Sequence, residues 1–104
     1  MIELIITESA KKDIREALSY ISNVLFNKKA ASELADMIEE EISMLVQFPL
    51  SGTPVPDQFL ADYGFRFLLI KSYKAYYITN KRTVTIIRFL HSSRDYENIL
   101  KENI

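Results

Sequence analysis

The sequence contains no cysteine and no tryptophan, and only one histidine, two glycines and three prolines in 104 residues. Without cysteine there can be no disulfide, no thiolate metal ligand and no cysteine nucleophile. Scarce glycine and proline beside 48% hydrophobic residues exclude a low-complexity or disordered chain. No apolar run approaches the ~18 residues of a membrane span. Residues 1–7 read as a short strand with Glu3 at its centre rather than as a secretory signal, which makes the cytoplasm the expected compartment. There is no glycine-rich phosphate loop, no Ser/His/Asp motif and no helix-borne Glu/His pair. A lone histidine with no second imidazole gives no metal site, so neither metal nor cofactor is expected. The length suits one domain spanning residues 1–104.

Charge is nearly balanced, 13 basic against 14 acidic residues, which argues against a protein that coats nucleic acid with its whole surface. The balance hides an asymmetry. Residues 1–48 carry five basic and nine acidic side chains, residues 49–104 eight basic and five acidic. Residues 63–94 hold no Asp or Glu, yet include Arg66, Lys71, Lys74, Lys81, Arg82, Arg88, Arg94 and His91 among seven tyrosines and phenylalanines. Such a stretch suits an acidic or phosphate-bearing partner, and equally a set of strands with aromatics in the sheet and charges on its wet edge.

Hydrophobic spacing predicts a strand over residues 1–6, then a helix capped by Thr7 or Ser9 with Ala10, Ile14, Ala17, Leu18, Ile21 and Leu25 on one face. After a polar break at Asn27-Lys28-Lys29, a second helix is expected over residues 30–48, with Ala31, Leu34, Ala35, Ile38, Ile42, Leu45 and Phe48 facing inward. Glu33, Asp36, Glu39, Glu40 and Glu41 fall on its wet side, an ordinary solvated face. Residues 49–56, rich in proline, end the helical region, and no pattern is clear until Tyr63. Strands then follow over 65–70, 73–79 and 83–90, joined by Lys71-Ser72 and by Asn80-Lys81-Arg82, and a last helix starts at Ser92-Ser93 and runs to about Glu102. The expected fold is α+β, in the order β-αα-βββ-α: an N-terminal strand, a helical hairpin, a three-stranded antiparallel meander carrying the hairpin on one face, and a short C-terminal helix.

Two arginines sit inside apolar strands. By alternation Arg66 shares a face with Leu68 and Ile70, and Arg88 with Ile86 and Leu90. A guanidinium there needs a partner or an open face, because an unpaired buried charge is very costly. Either each has an internal ion pair or edge position, or the two meet on an open face and grip phosphate. Proton transfer could fall to His91, Tyr73, Tyr76, Tyr77 or Tyr96, which would suit metal-free RNA cleavage. Tyrosines in strands serve more often as core residues, and a histidine just before a helix more often as a loop residue.

The run Phe65-Arg66-Phe67-Leu68-Leu69-Ile70, then Tyr73 to Tyr77, then Ile86-Ile87-Arg88-Phe89-Leu90-His91-Ser92-Ser93-Arg94-Asp95-Tyr96 resembles the C-terminal half of RelE/ParE superfamily toxins. The Phe48-Pro49-Leu50-Ser51-Gly52 turn after a long hairpin resembles them too, and the likeness runs through essentially the whole chain. It implies the toxin of a bacterial type II toxin–antitoxin pair, neutralised by a cognate antitoxin. RelE-like members cleave mRNA on the ribosome without metal; the resemblance then implies Arg66, Arg88, His91 and Tyr96 as catalytic residues. ParE-like members poison DNA gyrase and have no accepted catalytic residues; Arg66, Lys71, Lys74, Arg88 and Arg94 would then face antitoxin or target. RelE-like enzymes are strongly basic, with lysines where this chain has Asp57-Gln58-Phe59-Leu60-Ala61-Asp62. The hairpin, the Phe-Pro-x-x-Gly turn and the Leu-His-x-x-Arg-Asp ending resemble the ParE-like branch more, making gyrase the expected target, ribosomal mRNA cleavage the alternative, and a non-toxic binding module the third reading.

Overall fold

The computed structural model describes residues 2–104, so the expected strand's first residue, Met1, lies outside the described residues. The chain runs β1 (Glu3–Ile6), α1 (Glu8–Ser19), a π-helical turn (Tyr20–Val24), α2 (Lys28–Met44), β2 (Thr53–Pro54), α3 (Gln58–Tyr63), β3 (Arg66–Ile70), β4 (Tyr73–Thr79), β5 (Thr83–His91) and α4 (Tyr96–Lys101). The five strands form one sheet in the order β1-β5-β4-β3-β2. β3, β4 and β5 are the expected antiparallel meander, but β1 lies parallel to β5, with Leu4 opposite Val84. The sheet is therefore mixed, a point alternation cannot reveal because it fixes which side a residue faces and not which strand lies beside it.

Thr7 is the cap of α1: its hydroxyl accepts the Ala10 N–H at 3.0 Å and donates to the Ile87 carbonyl at 2.8 Å, fastening the helix start to β5. The helical pair lies on one face of the sheet. Ala10, Ala17, Leu34, Ile38, Ile42 and Leu45 are buried there against Ile70, Ala75, Tyr77, Val84, Ile86 and Phe89. Alternate residues of β4 point the other way, and Tyr76 joins Val55, Leu60, Phe65, Leu90 and Leu100 in a second cluster beneath α3 and α4. The sheet thus carries helices on both faces, where a hairpin on one face was expected.

The other departures have local causes. After Ser19 the backbone widens into the π turn, so Leu25 leaves the α1 stripe and is exposed. Asn27 caps α2, its carboxamide oxygen accepting the Ala30 N–H at 3.0 Å, so Lys28 and Lys29 open that helix instead of separating it from α1. α2 stops at Met44, which leaves Phe48 exposed in the following turns. The region without a predicted pattern contains both β2 and α3. α3 rests on one buried apolar side chain, Leu60, on the Asp57 cap, and on Gly64 in the left-handed region (φ 113°) at its end, too little for periodicity to register. The last helix is capped by Asp95, two to three residues later than the serines suggested. No helix among the described residues is long and apolar enough to cross a membrane.

Candidate functional site

Arg66 is bound to the turn that ends the helical region. Its Nη1 donates to the carbonyls of Leu50, at 3.1 Å, and Gly52, at 2.8 Å. The same turn is held from beneath by Tyr77, whose hydroxyl donates to the Pro49 carbonyl at 2.8 Å and accepts the Gly52 N–H at 2.9 Å. A Cβ at position 52 would stand 2.5 Å from that hydroxyl and 2.8 Å from the Phe67 carbonyl oxygen, which explains the glycine. Burial pushes the Tyr77 phenol up, against the lowering effect of the Gly52 N–H and the Arg66 charge. Arg66 shares its face with Leu68 and Ile70 as alternation predicts, and lines a shallow groove of about 240 Å³ with Pro54, Phe65 and Thr79.

Arg88 has the internal ion pair that was one of its two expected readings, with a partner the sequence did not single out. Asp13 of α1 receives its Nε at 2.6 Å and its Nη2 at 2.9 Å, and also accepts the Phe89 N–H at 3.1 Å. The hydrogen bond that Arg88 donates to Asp13 raises the already high guanidinium pKa further, over the opposing effect of burial. A bulge sets this up. Tyr76 lies opposite Arg88 and Tyr77 opposite Ile86, so Ile87 is the extra residue on β5. Ile86 and Leu90 consequently enter opposite clusters, and the face that alternation assigned to Arg88 does not exist. Two free guanidiniums do not meet on an open face: Arg66 holds backbone carbonyls and Arg88 holds a carboxylate.

His91 ends β5. Its Nδ1 accepts the Ser93 N–H at 3.1 Å and lies 2.7 Å from the Ser93 hydroxyl. Accepting that N–H places the proton of the neutral ring on Nε2, which makes the free nitrogen a donor rather than a base. The ring stands edge-on to Tyr73, centroids 5.3 Å apart, and Tyr73 stacks on Phe89 at 5.0 Å. These residues, with Tyr20, Glu16 and Arg94, line a groove of about 280 Å³ between α1 and the end of the sheet. Burial, then the neighbouring Tyr20, raises the Tyr73 pKa. Tyr96 is elsewhere. It stacks on Tyr76 at 5.3 Å and its hydroxyl accepts the Asp57 N–H at 3.2 Å, tying α4 to the start of α3. Burial raises the Tyr76 phenol to about 12, with Tyr96 adding to the rise, so both rings stay neutral well above physiological pH.

Of the remaining expected contact residues, Lys71 is exposed at the tight β3–β4 turn with φ 56°, Lys74 sits over the Phe67 ring at 4.5 Å, and Arg94 is exposed after β5. A second feature was missed altogether: an apolar groove of about 270 Å³ between β1, α1 and α2, lined by Leu4, Ile6, Ile14, Leu18, Ile38 and Ile42 with Glu39 beside them. Its apolar helical residues all lie among the positions of α1 and α2 that the sequence assigned to the core. Among the described residues no group of three His, Asp or Glu side chains is placed to hold a metal ion.

The four resemblance-derived residues have different partners: Arg66 the carbonyls of the 49–52 turn, Arg88 the Asp13 carboxylate, His91 the Ser93 N–H, and Tyr96 the Tyr76 ring on the face covered by α3 and α4. Comparison with known families gives a match over residues 4–96 to the model described as ParE toxin of type II toxin-antitoxin system, parDE. A search of curated proteins gave no match. Among solved structures, a chain of the chromosomal ParDE TA system from P. aeruginosa has a similar fold, with a TM-score of 0.71 and 21% identity over 88% of this chain and 96% of that one.

Proposed function

This chain belongs to the ParE toxin family of type II toxin–antitoxin systems, and from that premise we propose that it arrests growth by binding and poisoning DNA gyrase, residues 1–104 acting as one toxin domain in the cytoplasm. The observation that carries this reading over ribosome-dependent mRNA cleavage is the Asp13–Arg88 pair. A guanidinium already neutralised through two of its nitrogens has little left to offer a developing phosphorane. The net charge of −1 supports the same side, since docking on ribosomal RNA depends on cationic contacts.

Family membership brings an antitoxin partner. The groove between β1, α1 and α2 is a seat for apolar antitoxin residues, and Lys74 and the outer edge of Arg66 are the cations left for its acidic ones, with Lys71 and Arg94 left for the target. Arg88 drops out of that set because Asp13 occupies it. The test is induction of the gene alone and with its neighbour, a supercoiling assay with purified gyrase, and mapping of RNA ends on programmed ribosomes. Growth arrest relieved by the neighbour, loss of supercoiling and no new RNA ends is the expected set. Codon-specific cleavage would replace the gyrase reading with a nuclease, and normal growth at high expression would leave only a binding module.

A further inference from the structure

The tip of the helical hairpin is built to present apolar side chains outward. Phe26 is 87% exposed, and Val24, Leu25 and Tyr20 are 58%, 54% and 50% exposed. Phe26 also has φ 53°, a left-handed conformation that a bulky residue adopts only when its surroundings impose it. They do so here. The Leu25 N–H donates to the Tyr20 carbonyl at 3.0 Å, the Asn27 N–H to the Ile21 carbonyl at 3.0 Å, and Asn27 then caps α2. Glycine or asparagine would close this turn at less cost, so the fold alone does not call for an exposed phenylalanine at position 26.

The surroundings of the tip have a definite charge. Between Glu16 and Glu33 there is no acidic residue, while Lys28 and Lys29 follow the tip directly, in a half of the chain that is otherwise acidic. The tip also continues onto the sheet: Tyr20 borders the groove that holds Tyr73, His91 and Arg94, and Ile21 lies beside the Lys71–Ser72 turn.

We propose that the hairpin tip and this adjoining end of the sheet form the surface by which the toxin engages its target, a protein offering an apolar pocket for Phe26 with carboxylates placed for Lys28, Lys29 and Arg94. This rests on reading the chain as a toxin that acts by binding, and assigns the target a face separate from the antitoxin groove. The two linings share no residue. Charge decides among occupants. A second copy presenting the same tip would set lysines against lysines. A nucleic acid would run a continuous line of phosphates past Glu16 and Glu33, which border the two grooves, where a protein can place single carboxylates opposite the lysines alone, and it has no use for Val24 and Leu25. A membrane needs broad apolar area and no fixed backbone, whereas this knob is small and hydrogen-bonded into shape. A rigid aromatic anchor flanked by cations suits a preformed pocket with an acidic rim.

The test uses the full chain with Val24→Ser/Phe26→Ser and, separately, Lys28→Glu/Lys29→Glu, each checked by thermal melting to be folded. Both pairs are exposed, and the glutamates fall at the start of α2 where acidic residues are welcome. We expect the tip variants to need at least about tenfold more protein for gyrase inhibition and to lose growth arrest, as loss of a buried aromatic anchor does. Affinity for the antitoxin from the neighbouring gene should stay within about twofold, since distant sites behave independently. Potency equal to wild type, or a parallel loss of antitoxin affinity, overturns the proposal. So does wild-type binding to phosphatidylglycerol vesicles or to a single-stranded oligonucleotide, or a concentration-dependent dimer, if the Phe26 variant abolishes it. A wild-type chain that arrests growth yet leaves gyrase untouched removes the gyrase reading alone, and the tip is then judged on growth arrest. A wild-type chain that does not arrest growth overturns both.

Discussion

Asp13 and Arg88 are joined across the α1–β5 boundary by two hydrogen bonds of 2.6 and 2.9 Å, with side chains only 10% and 20% exposed. The pair sits where the β5 bulge ends the alternation that governs the rest of the sheet. It answers the question posed by an arginine in an apolar strand, and it links the helical layer to the strand that carries His91.

Removing one partner leaves the other charge poorly solvated. Asp13→Ala should therefore destabilise the protein by about 2–4 kcal/mol, somewhat below the range for fully buried pairs because Arg88 keeps some access to water. The double variant Asp13→Leu/Arg88→Met should recover most of that loss. Urea denaturation of Asp13→Leu, Arg88→Met and the double variant would give the coupling directly, and additive losses would show that the pair contributes nothing specific.

The turn at residues 49–52 depends on Tyr77. Tyr77→Phe deletes a donor to Pro49 and the acceptor of the buried Gly52 N–H, at a cost of about 1–3 kcal/mol. Gly52→Ala should cost at least as much, roughly 2–3 kcal/mol, because the new methyl meets a ring and a backbone carbonyl that cannot both retreat. Combining the two should not restore stability, since the ring carbon Cε1, at 2.6 Å, remains after the hydroxyl is gone. A thermal-melt series over the three variants checks both the order and the failed rescue.

Alkaline stability should report the second cluster. The Tyr76 phenol is raised from 10.0 to about 12, first by burial and then by Tyr96. A folded-state pKa above the unfolded one gives stability that is complete below the unfolded value and lost as pH rises through the folded one. Unfolding free energy should thus fall between pH 10 and about 12, approaching about 1.4 kcal/mol per pH unit for this group. Tyr76→Phe should flatten that slope in urea titrations followed across the window. An unchanged slope would mean that other groups set the alkaline limit.

What could be read in the sequence follows from which interactions are periodic. The α1 and α2 stripes and the meander were visible because each buries one residue in every two to four. The parallel pairing of β1, the bulge at Ile87 and the helix α3 were not, because each depends on contacts between residues far apart or on one side chain. The site divides the same way. Arg66 and Arg88 stood out as misfits in apolar strands, yet their partners, the Leu50 and Gly52 carbonyls and the Asp13 carboxylate, lie 14 to 75 residues away. The exposed tip was hidden by its own regularity: Leu25 fits the α1 stripe until the π turn removes it.

Arg66→Ala and His91→Ala separate binding from catalysis. In a ribosome-dependent nuclease, Arg66 would contact the transition-state phosphate and its loss would cost about 10²–10³ in rate, as for other preorganised charge contacts; His91→Ala would cost a comparable factor if the imidazole moved a proton. The geometry gives these residues other work. Arg66 holds the Leu50 and Gly52 carbonyls, so its removal should lower stability by about 1–3 kcal/mol while leaving a folded protein. His91 spends Nδ1 on the Ser93 N–H and is exposed, so its removal should change stability by less than about 1 kcal/mol. In a gyrase-directed toxin neither variant has a chemical step to slow, and supercoiling inhibition by Arg66→Ala, assayed well below its melting temperature, should stay within about threefold of wild type. Arg66→Lys adds a check: it keeps the positive charge, but its shorter side chain does not place a nitrogen where Nη1 donates to both carbonyls, so it should lie close to Arg66→Ala in stability and to wild type in potency. RNA cleavage by the wild-type chain that vanishes in Arg66→Ala, with supercoiling untouched by either protein, would return Arg66 to a catalytic role.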